Sequence, residues 1–462
     1  MIRKLVALLF LCSVLFAIVS CSNGKDSGMT FTGAENEVKL MTLDPGHFHA
    51  ALVQKSMYDQ IDPVVHVYAP DGQDVQDHLT RINGFNTRAE NPTAWQTELH
   101  ISEDFLAKMI AEKPGNVMVT SGNNRNKTKY IKTAVDAGIN VLADKPMCIN
   151  KEGFKLLQEA FESAKKHNVL LYDIMTERYE ITTILQKELS LLPQVFGELI
   201  IGTAQEPAVT KESVHHFFKY VAGNPIKRPT WYFDTRQQGE GIVDVATHLV
   251  DLIQWECFPG KILHPDDVEM IQAKRWPTKV TLAQFEKVTR AHAFPDFLQE
   301  NIKDGVLSCY SNGEFVYKLK GHFAKVSVIW NYQAPEGAGD THFSIMRGTK
   351  ANIIIRQGAE QNYKPELYVE AQADAGGEYG DVLQKAVTDL AKKYPGIGLE
   401  SSGTVWHITI PDSYRVGHEA HFAQVMEKYL QYLVDGKLPD WETPNMIAKY
   451  FTTTSALQMA EK

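Results

Sequence analysis

Residues 138–146 read Gly138-Ile139-Asn140-Val141-Leu142-Ala143-Asp144-Lys145-Pro146. The apolar run before Asp144 is typical of a strand in a parallel sheet, and Gly138 suits the position just after a helix. Doubly wound sheets bind their ligands in a crevice beyond the carboxyl ends of such strands. A lysine at this end, followed by a proline, is therefore predicted to point its ammonium group into a ligand crevice.

The surrounding sequence, from Val38 to about Leu171, alternates short apolar runs with longer amphipathic stretches. This rhythm is typical of βαβ units and predicts an α/β Rossmann domain, a doubly wound parallel sheet, over residues 38–172. The predicted strands are Val38 to Leu43, Val64 to Tyr68, Val117 to Thr120, Asn140 to Ala143 and Val169 to Tyr172. The predicted helices include Ser102 to Glu112 and Lys127 to Ala137.

Residues 173–462 have a different pattern, in which strands follow one another without regular helices. This predicts an α+β domain with an open, mostly antiparallel sheet for substrate binding or dimerisation. The apolar spacing from His418 to Leu433 predicts a closing C-terminal helix. The predicted strands are Leu199 to Thr203, Glu314 to Leu319, Val326 to Tyr332 and Ala351 to Ile355.

The chain begins MIRKLVALLFLCSVLFAIVSC, a basic start followed by an apolar run. This predicts a signal peptide over residues 1–20, and its end resembles a bacterial lipobox with Cys21 as the lipidated residue. Residues 21–37 are small and polar, so we expect a flexible tether, with folded structure starting near Val38. No later apolar run approaches the roughly 20 residues of a membrane span. The predicted location is extracytoplasmic, anchored by lipid to a bacterial membrane at its periplasmic face or the cell surface.

Composition narrows the class of protein. A chain of 462 residues is long enough for about two or three domains. The net charge of −9 and the lack of a basic run make nucleic acid an improbable partner. Only Cys148, Cys257 and Cys309 follow the lipobox, without a CxxC pair, which argues against a disulfide framework and a cysteine metal site.

The first predicted strand ends in LDPGHFHAALVQ, residues 43–54. A dinucleotide fold commonly has GxGxxG here, but only Gly46 remains; one glycine and the next helix N-terminus can still hold a pyrophosphate. This predicts cofactor contacts from Gly46, His47, Phe48 and His49. Two alternatives stay open: a structural turn, and a metal site formed by Asp44, His47 and His49.

The second strand, VVHVYAPDG, normally ends in an acidic residue that binds the adenosine ribose. Ala69 stands at the expected position and Asp71 follows just beyond it. Asp71 is therefore the predicted ribose ligand, and a solvated turn residue is the alternative.

Residues 239–251 read Gly239-Glu240-Gly241-Ile242-Val243-Asp244-Val245-Ala246-Thr247-His248-Leu249-Val250-Asp251. Three polar side chains, those of Asp244, His248 and Asp251, recur at helical spacing within an otherwise apolar segment. A hydrogen-bonded core trio would satisfy them. Alternatively, a buried histidine with a pKa near neutrality is a natural general base for a hydroxyl proton.

Both motifs resemble those of the Gfo/Idh/MocA oxidoreductase family. Residues 138–146 are similar to its AGxHVxxEKP signature, with Asp144 in place of glutamate, and residues 239–251 are similar to its GGGxxxDxGxHxxD pattern. The order and approximate spacing of the two motifs agree with the family. The resemblance implies a Rossmann domain followed by an antiparallel-sheet domain, and a catalytic trio of Lys145, Asp244 and His248.

The resemblance extends over most of the chain. Residues 119–124 resemble the family's TPNxxH, with Asn124 at the position of the asparagine that approaches the cofactor and Lys127 in place of histidine. The segment 421–439 resembles the family's closing helix, whereas 260–357 shows no alignable similarity. The resemblance implies these cofactor contacts in addition to the first-strand residues: Ser121, Asn124, Asp144, Lys145 and Pro146. It implies these substrate contacts: Lys145, Arg178, Trp231, Asp244 and His248.

The implied function is oxidation or reduction of a sugar or sugar-like polyol with NAD or NADP. Outside the cytoplasm little free cofactor is available, which favours a tightly bound, internally recycled cofactor. Two alternatives remain: an NAD-dependent glycosidase or lyase that oxidises its sugar transiently, and a sugar-binding lipoprotein on a degenerate scaffold. An added acid or base would come from His215, His216 or Tyr232. The implied partners are a carbohydrate or polyol, the membrane through the lipid, and a second copy of the chain through the C-terminal sheet.

Overall fold

The structure is a computed structural model that describes residues 30–221, 224–335, 338–373 and 375–462. The predicted signal peptide and Cys21 lie outside the described residues. None of the described helices is both long and apolar enough to cross a membrane.

A parallel sheet of six strands forms the N-terminal half, in the order β3-β2-β1-β4-β5-β6. The order reverses between β1 and β4, which defines the switch point at which doubly wound sheets bind ligands. Its strands are β1 Leu40–Leu43, β2 Val64–Ala69, β3 Gln96–Ile101, β4 Val117–Thr120, β5 Asn140–Asp144 and β6 Leu171–Ile174. The helices between and after them are α1 His49–Leu52, α2 Gln73–Thr87, α3 Phe105–Glu112, α4 Lys127–Asp136, α5 Lys151–His167 and α6 Ile181–Ser190.

A mixed sheet of ten strands forms the second half, in the order β10-β12-β13-β7-β14-β15-β16-β18-β17, with β11 beside β12. All pairs are antiparallel except β7 with β13, so the predicted α+β class is confirmed. The strands are β7 Val209–Phe218, β8 Tyr220–Val221, β9 Asn224–Pro225, β10 Val268–Thr281, β11 Ile302–Lys303, β12 Val306–Leu319, β13 His322–Gln333, β14 Thr341–Arg347, β15 Ala351–Arg356, β16 Glu366–Ala371, β17 Gly398–Ser402 and β18 Val405–Thr409. The short β8 and β9 pair only with each other. The helices are α7 Thr235–Gln238, α8 Ala246–Cys257, α9 Leu282–Thr289, α10 Tyr379–Leu390, α11 His418–Asp435 and α12 Glu442–Ala460.

The core does not divide at residue 172. That boundary falls inside β6, which pairs with β5. Helix α11 buries Phe422, Val425 and Met426 in the apolar cluster of the parallel sheet. The C-terminal helix therefore completes the Rossmann core, instead of closing the second domain alone as the sequence suggested.

Folded structure also starts earlier than Val38. Phe31 is 5% exposed and packs in the parallel-sheet core. The Glu37 carboxylate accepts backbone N–H groups from Thr32, Gly33 and Ala34. Residues 31–37 are thus ordered, because the buried Phe31 ring and the Glu37 carboxylate hold the segment in place. Its small, polar composition had predicted a flexible tether.

One strand was missed by sequence reasoning, and another was predicted wrongly. The strand β3, QTELHI, was missed because its side chains are mostly exposed and polar, and backbone pairing with β2 alone defines it. Leu199 to Thr203 was predicted as a strand, but it makes only isolated bridges. Gly202 has a φ of +70°, which turns the chain there.

Candidate functional site

Two neighbouring cavities lie beyond the carboxyl ends of the parallel strands. The larger, of about 790 Å³, lies between the two sheets and contains Lys145 and His248. The smaller, of about 380 Å³, lies beside the start of α2. Their shared walls are formed by His47, Phe48, Ile226, Arg228 and Tyr232.

The turns after β1 and β4 touch each other at the switch point. The backbone N–H of His47 donates to the carbonyl of Ser121 at 3.2 Å. A Cβ on Gly122 would lie 2.3 Å from the carbonyl oxygen of Asp44. Gly122 is therefore required for this contact, and His47 and Phe48 of the first turn line both cavities.

Lys145 and Asp244 form the polar centre of the larger cavity. The Lys145 Nζ donates to Asp244 Oδ1 at 2.7 Å, and Gln238 Nε2 donates to Asp244 Oδ2 at 2.9 Å. A Cβ on Gly241 would collide with the Ser311 carbonyl at 1.8 Å, so this glycine lets the segment that carries Asp244 pack against β12. Both carboxylate oxygens are thus occupied, and the lysine ammonium is fixed at the end of β5.

His248 lines the same cavity from the first turn of α8. Its Nδ1 is buried and, among the described residues, has no hydrogen-bond partner. Burial and the Lys145 ammonium lower the pKa of His248 to about 3. The imidazole is therefore neutral at pH 7, and in this structure it is a weaker base than the near-neutral histidine expected from the sequence.

Asp144 supports the cavity wall instead of lining it. Its Oδ2 lies 3.0 Å from His49 Nδ1 and accepts from Ser121 Oγ at 2.8 Å. Burial alone would raise the pKa of Asp144, but His49 and Lys127 hold it well below its usual range. The Lys127 Nζ donates to the Asp144 carbonyl at 3.1 Å, and burial lowers the pKa of Lys127 to about 8. Neither Ser121 nor Asp144 lines a cavity, and Asp144 is linked to the cavity through His49.

A second acid–base group faces the larger cavity. His49, held by Asp144, places its Nε2 3.4 Å from His418 Nε2. The other ring nitrogen of His418 lies 3.5 Å from Glu177 Oε1. Burial would raise the pKa of Glu177, but the hydrogen bond from His418 lowers it. Two imidazoles thus lie between two ionised carboxylates at the cavity wall.

Several charged side chains of the larger cavity form ion pairs. Besides Lys145 with Asp244, the carboxylate of Asp340 binds His215 at 2.9 Å and also Lys219. Lys364 lies 3.6 Å from Asp412. His215 and Tyr232 line this cavity, whereas His216 is buried behind it at 3% exposure. The arrangement suits a neutral polar ligand better than an ion.

The smaller cavity is basic and contains one carboxylate of unusual pKa. Asp74 accepts from Trp231 Nε1 at 2.7 Å, and burial raises the pKa of Asp74 to about 6. A Cβ on Gly46 would lie 2.9 Å from Asp74 Oδ2, so the glycine permits this approach. The cationic residues that line the smaller cavity are Arg81, Lys227, Arg228 and Arg290.

Asp71 is exposed and lines neither cavity. The prediction that it binds ribose is therefore not supported; Asp74, one turn farther along, occupies the cavity. Trp231 lies at the smaller cavity, away from the substrate side where it was predicted.

Arg178 does not face either cavity. Its guanidinium donates to both oxygens of Asp251, each at 2.7 Å, and to Glu442 at 3.2 Å or less. Asp251 also accepts from Lys449 at 2.8 Å. Arg178 is thus a core ion-pair residue and not a substrate ligand. Asp251 takes part in this ion pair, so Asp244 and His248 are the two polar residues of the motif that line the larger cavity.

The Asp44–His47–His49 metal set does not assemble. The Asp44 carboxylate accepts from Tyr130 OH at 3.0 Å, whereas both histidines approach Asp144.

Pro146 is buried and follows a cis peptide bond with Lys145. Asn124 donates to the Gln238 carbonyl at 2.6 Å, which leaves its buried Oδ1 without a partner among the described residues.

The two cavities fit a dinucleotide laid across the switch point, with departures from the usual pattern. Cationic side chains in the smaller cavity suit a diphosphate, and Lys145 lies in the adjoining larger cavity. However, α1 has only four residues, so its helix dipole is weak. The backbone N–H of His47 already donates to the Ser121 carbonyl and is not available for a phosphate. Side chains such as Arg228, and not a helix N-terminus as the sequence suggested, would therefore hold the phosphates.

Several lining residues were missed by sequence reasoning: Asp74, Glu177, Arg228, Asp340 and His418. Only Asp74 carried a local signal, since it lies in the turn region after β2 where the ribose ligand was sought. The other residues reach the cavities from loops or the distant α11, which no local pattern relates to the Rossmann strands.

The C-terminal part of the chain matches a known protein family. Residues 185–461 match the family described as "Putative oxidoreductase C terminal domain". A crystal structure of a "putative oxidoreductase" from Parabacteroides merdae ATCC 43184 is 58% identical, with a TM-score of 0.92 over 94% of this chain and 99% of that chain. No curated protein matches.

More distant solved structures share the fold. Levoglucosan dehydrogenase in complex with NADH has a TM-score of 0.58 at 11% identity, over 92% of this chain and 97% of that one. GenD2 from gentamicin A biosynthesis, in complex with NAD, has a TM-score of 0.56 at 13% identity, over 94% and 98%. With the family match over more than half of the chain and the close similarity to the Parabacteroides merdae protein, the chain belongs to the oxidoreductase family described by this C-terminal domain.

Proposed function

We propose that this protein transfers hydride between a nicotinamide dinucleotide and a hydroxyl-bearing carbon of a sugar or sugar-like polyol. The observation that carries the proposal is the neutral His248, with an unpartnered Nδ1, in one cavity with the Lys145–Asp244 pair. The adjoining basic cavity supports the binding of a diphosphate. Levoglucosan dehydrogenase, which shares the fold, binds NADH together with levoglucosan or L-sorbose.

In the proposed reaction the chain's residues handle the hydroxyl proton. Lys145 donates a hydrogen bond to the substrate oxygen and is itself oriented by Asp244. His248 accepts the hydroxyl proton as general base while the C–H bond on the same carbon breaks. The bound dinucleotide supplies the hydride acceptor at its nicotinamide ring. In the reverse direction His248 returns the proton and Lys145 stabilises the carbonyl oxygen.

A neutral polyol is the substrate class that suits the cavity. Several of its charged side chains are paired with a partner of opposite charge at 2.7 to 3.6 Å, which favours a neutral substrate in the part of the cavity away from Arg228. Its volume of about 790 Å³ lies within the range usual for small-molecule sites.

The location and the handling of the cofactor belong to the same proposal. We infer that Cys21 is lipidated and that the protein works outside the cytoplasm, on the strength of the residues 1–21 described above. Free nicotinamide cofactor is scarce there, so the cofactor stays bound and is recycled within each cycle. Labelling with a palmitate analogue, and its loss in Cys21→Ala, tests the anchor.

A second candidate is a glycosidase or lyase that oxidises its sugar transiently. The paired His49 and His418, backed by Asp144 and Glu177, favour it, because elimination needs an acid–base group besides His248. A cavity of this size also leaves room for a group attached to the sugar.

The deciding experiment is to denature the purified protein and identify the released small molecules by absorbance and mass. A stoichiometric nicotinamide dinucleotide supports the proposal and names NAD or NADP. Incubating the protein with sugars and with glycosides, and assaying for ketones and released aglycones, separates the two reaction classes. The absence of bound cofactor, together with no binding on titration, would contradict both and favour a sugar-binding lipoprotein.

A further inference from the structure

A group of nitrogen and oxygen ligands lies at the open edge of the parallel sheet, away from both cavities. His66 on β2 lies opposite Glu98 on β3, and Tyr68 lies opposite His100. Side chains two residues apart on a strand share a face, so His66, Glu98 and His100 project from the same side of the sheet. The register of two parallel strands alone thus brings two imidazoles and a carboxylate together.

The spacing of the ligand atoms fits a tetrahedral metal ion. His66 Nδ1 lies 3.2 Å from His100 Nε2 and 3.3 Å from Glu98 Oε2. Ligand atoms about 2.0–2.1 Å from zinc lie about 3.3–3.4 Å apart at a tetrahedral angle. One atom from each of the three residues lies within 4.8 Å of the other two. The separations thus match two edges of a zinc tetrahedron.

The surroundings of His100 also match a metal ligand. Its Nδ1, the nitrogen that faces away from His66, lies 3.6 Å from Glu112 Oε2. Tyr68 OH donates to the same carboxylate oxygen at 2.6 Å, and the Tyr68 ring stacks on His100 at 4.2 Å. Metal-bound histidines usually direct their other nitrogen at such a carboxylate, which fixes the tautomer and the ring orientation. The stacking and the carboxylate together hold His100 Nε2 toward His66.

We propose that His66, Glu98 and His100 form a zinc-binding site on the face of β2 and β3 that carries Tyr68, with water as the fourth ligand. Two imidazoles and one carboxylate suit zinc, whereas magnesium and calcium prefer all-oxygen sites. The ion ties the polar edge strand β3 to β2 and stabilises the folded state by preferential binding. This site is independent of the oxidoreductase chemistry.

The test uses the purified protein, treated with a chelator and titrated with zinc chloride by calorimetry. We expect one equivalent to bind at micromolar zinc, and His66→Gln and His100→Gln each to weaken it at least tenfold. Glu112→Gln, which leaves the three ligands intact, should weaken it about 10- to 100-fold. The matched control is His292→Gln, which alters a histidine–carboxylate pair at 2.6 Å that lacks further ligands.

Two readouts keep the result interpretable. The melting temperature of each variant without metal shows that it folds, and cobalt substitution should give the strong visible absorption of a tetrahedral site. His47→Gln tests the other histidine cluster. Zinc uptake that is lost in His47→Gln and kept in His66→Gln and His100→Gln would overturn the proposal. So would the absence of uptake by the unmodified protein, which would leave His66 and His100 as a hydrogen-bonded pair.

Discussion

His248 is the residue whose replacement tests the proposed chemistry most directly. His248→Asn removes the proton acceptor but leaves Lys145 and Asp244 in place, so kcat should fall about 10²- to 10⁴-fold with a small change in KM. Reduction of the bound cofactor by saturating substrate, followed at 340 nm, measures the step. His292→Gln, a histidine 88% exposed at its side chain, serves as the control. Unchanged turnover in His248→Asn would remove this histidine from the mechanism.

Asp74 gives a pH dependence whose sign follows from its environment. Burial raises the pKa of Asp74 from 3.8 to about 6, so between these values the folded protein binds more protons than the unfolded chain. The free energy of unfolding therefore falls as pH rises through this window, by about 2 kcal/mol once solvent screening is allowed for. Asp74→Asn keeps an acceptor for Trp231 and should flatten this decline.

Urea unfolding at pH 4, 5 and 6.5 measures the effect in both proteins. Other carboxylates titrate in the same range, so the informative quantity is the difference between the two pH profiles. A constant difference across the three pH values would show that Asp74 has an ordinary pKa in the folded state.

At the scale of elements, the buried ion pairs of Arg178 join three segments. The guanidinium lies in the turn after β6 and binds Asp251 on α8 and Glu442 at the start of α12. Arg178→Met leaves Glu442 buried without its cation and Asp251 with Lys449 alone, so we expect a loss of about 3–5 kcal/mol in the free energy of unfolding. Chemical denaturation measures it. Lys393→Gln, which breaks an exposed pair with Glu188, should cost less than about 1 kcal/mol.

Strands with a recognisable pattern of apolar side chains could be predicted from the sequence. A strand defined only by its backbone pairing with a neighbouring strand could not. The strands β4 and β5 are buried at every position and mostly apolar, so their positions were predicted to within one residue. The strand β3 was missed because an edge strand needs no apolar face. In the site, Lys145, Asp244 and His248 carried motifs, but Arg178 was misplaced, since a charge looks the same in sequence whether it meets a substrate or Asp251.

At the scale of the whole molecule, a helix late in the chain packs into the core of the N-terminal sheet. Helix α11 follows the ten-stranded sheet in sequence, yet its Tyr429 is fully buried and stacks near Tyr172 of β6, with ring centroids 6.1 Å apart. The same helix carries His418 to the cavity beside His49. The Rossmann core and the proposed second acid–base group thus depend on the same late segment, which a division at residue 172 would separate from them.

This arrangement predicts where a defect in α11 will be felt. Phe422 is 2% exposed, so Phe422→Ala should cost about 3–5 kcal/mol, and hydrogen exchange should accelerate first in β5 and β6. Leu383→Ala is the matched control, since Leu383 on α10 is fully buried in the core of the ten-stranded sheet, and it should loosen β17 and β18 instead. If Phe422→Ala accelerated exchange in the ten-stranded sheet and spared β5 and β6, α11 would belong energetically to the second domain. If both substitutions accelerated exchange throughout, the two cores would unfold as one cooperative unit, and no boundary between them would be thermodynamically meaningful.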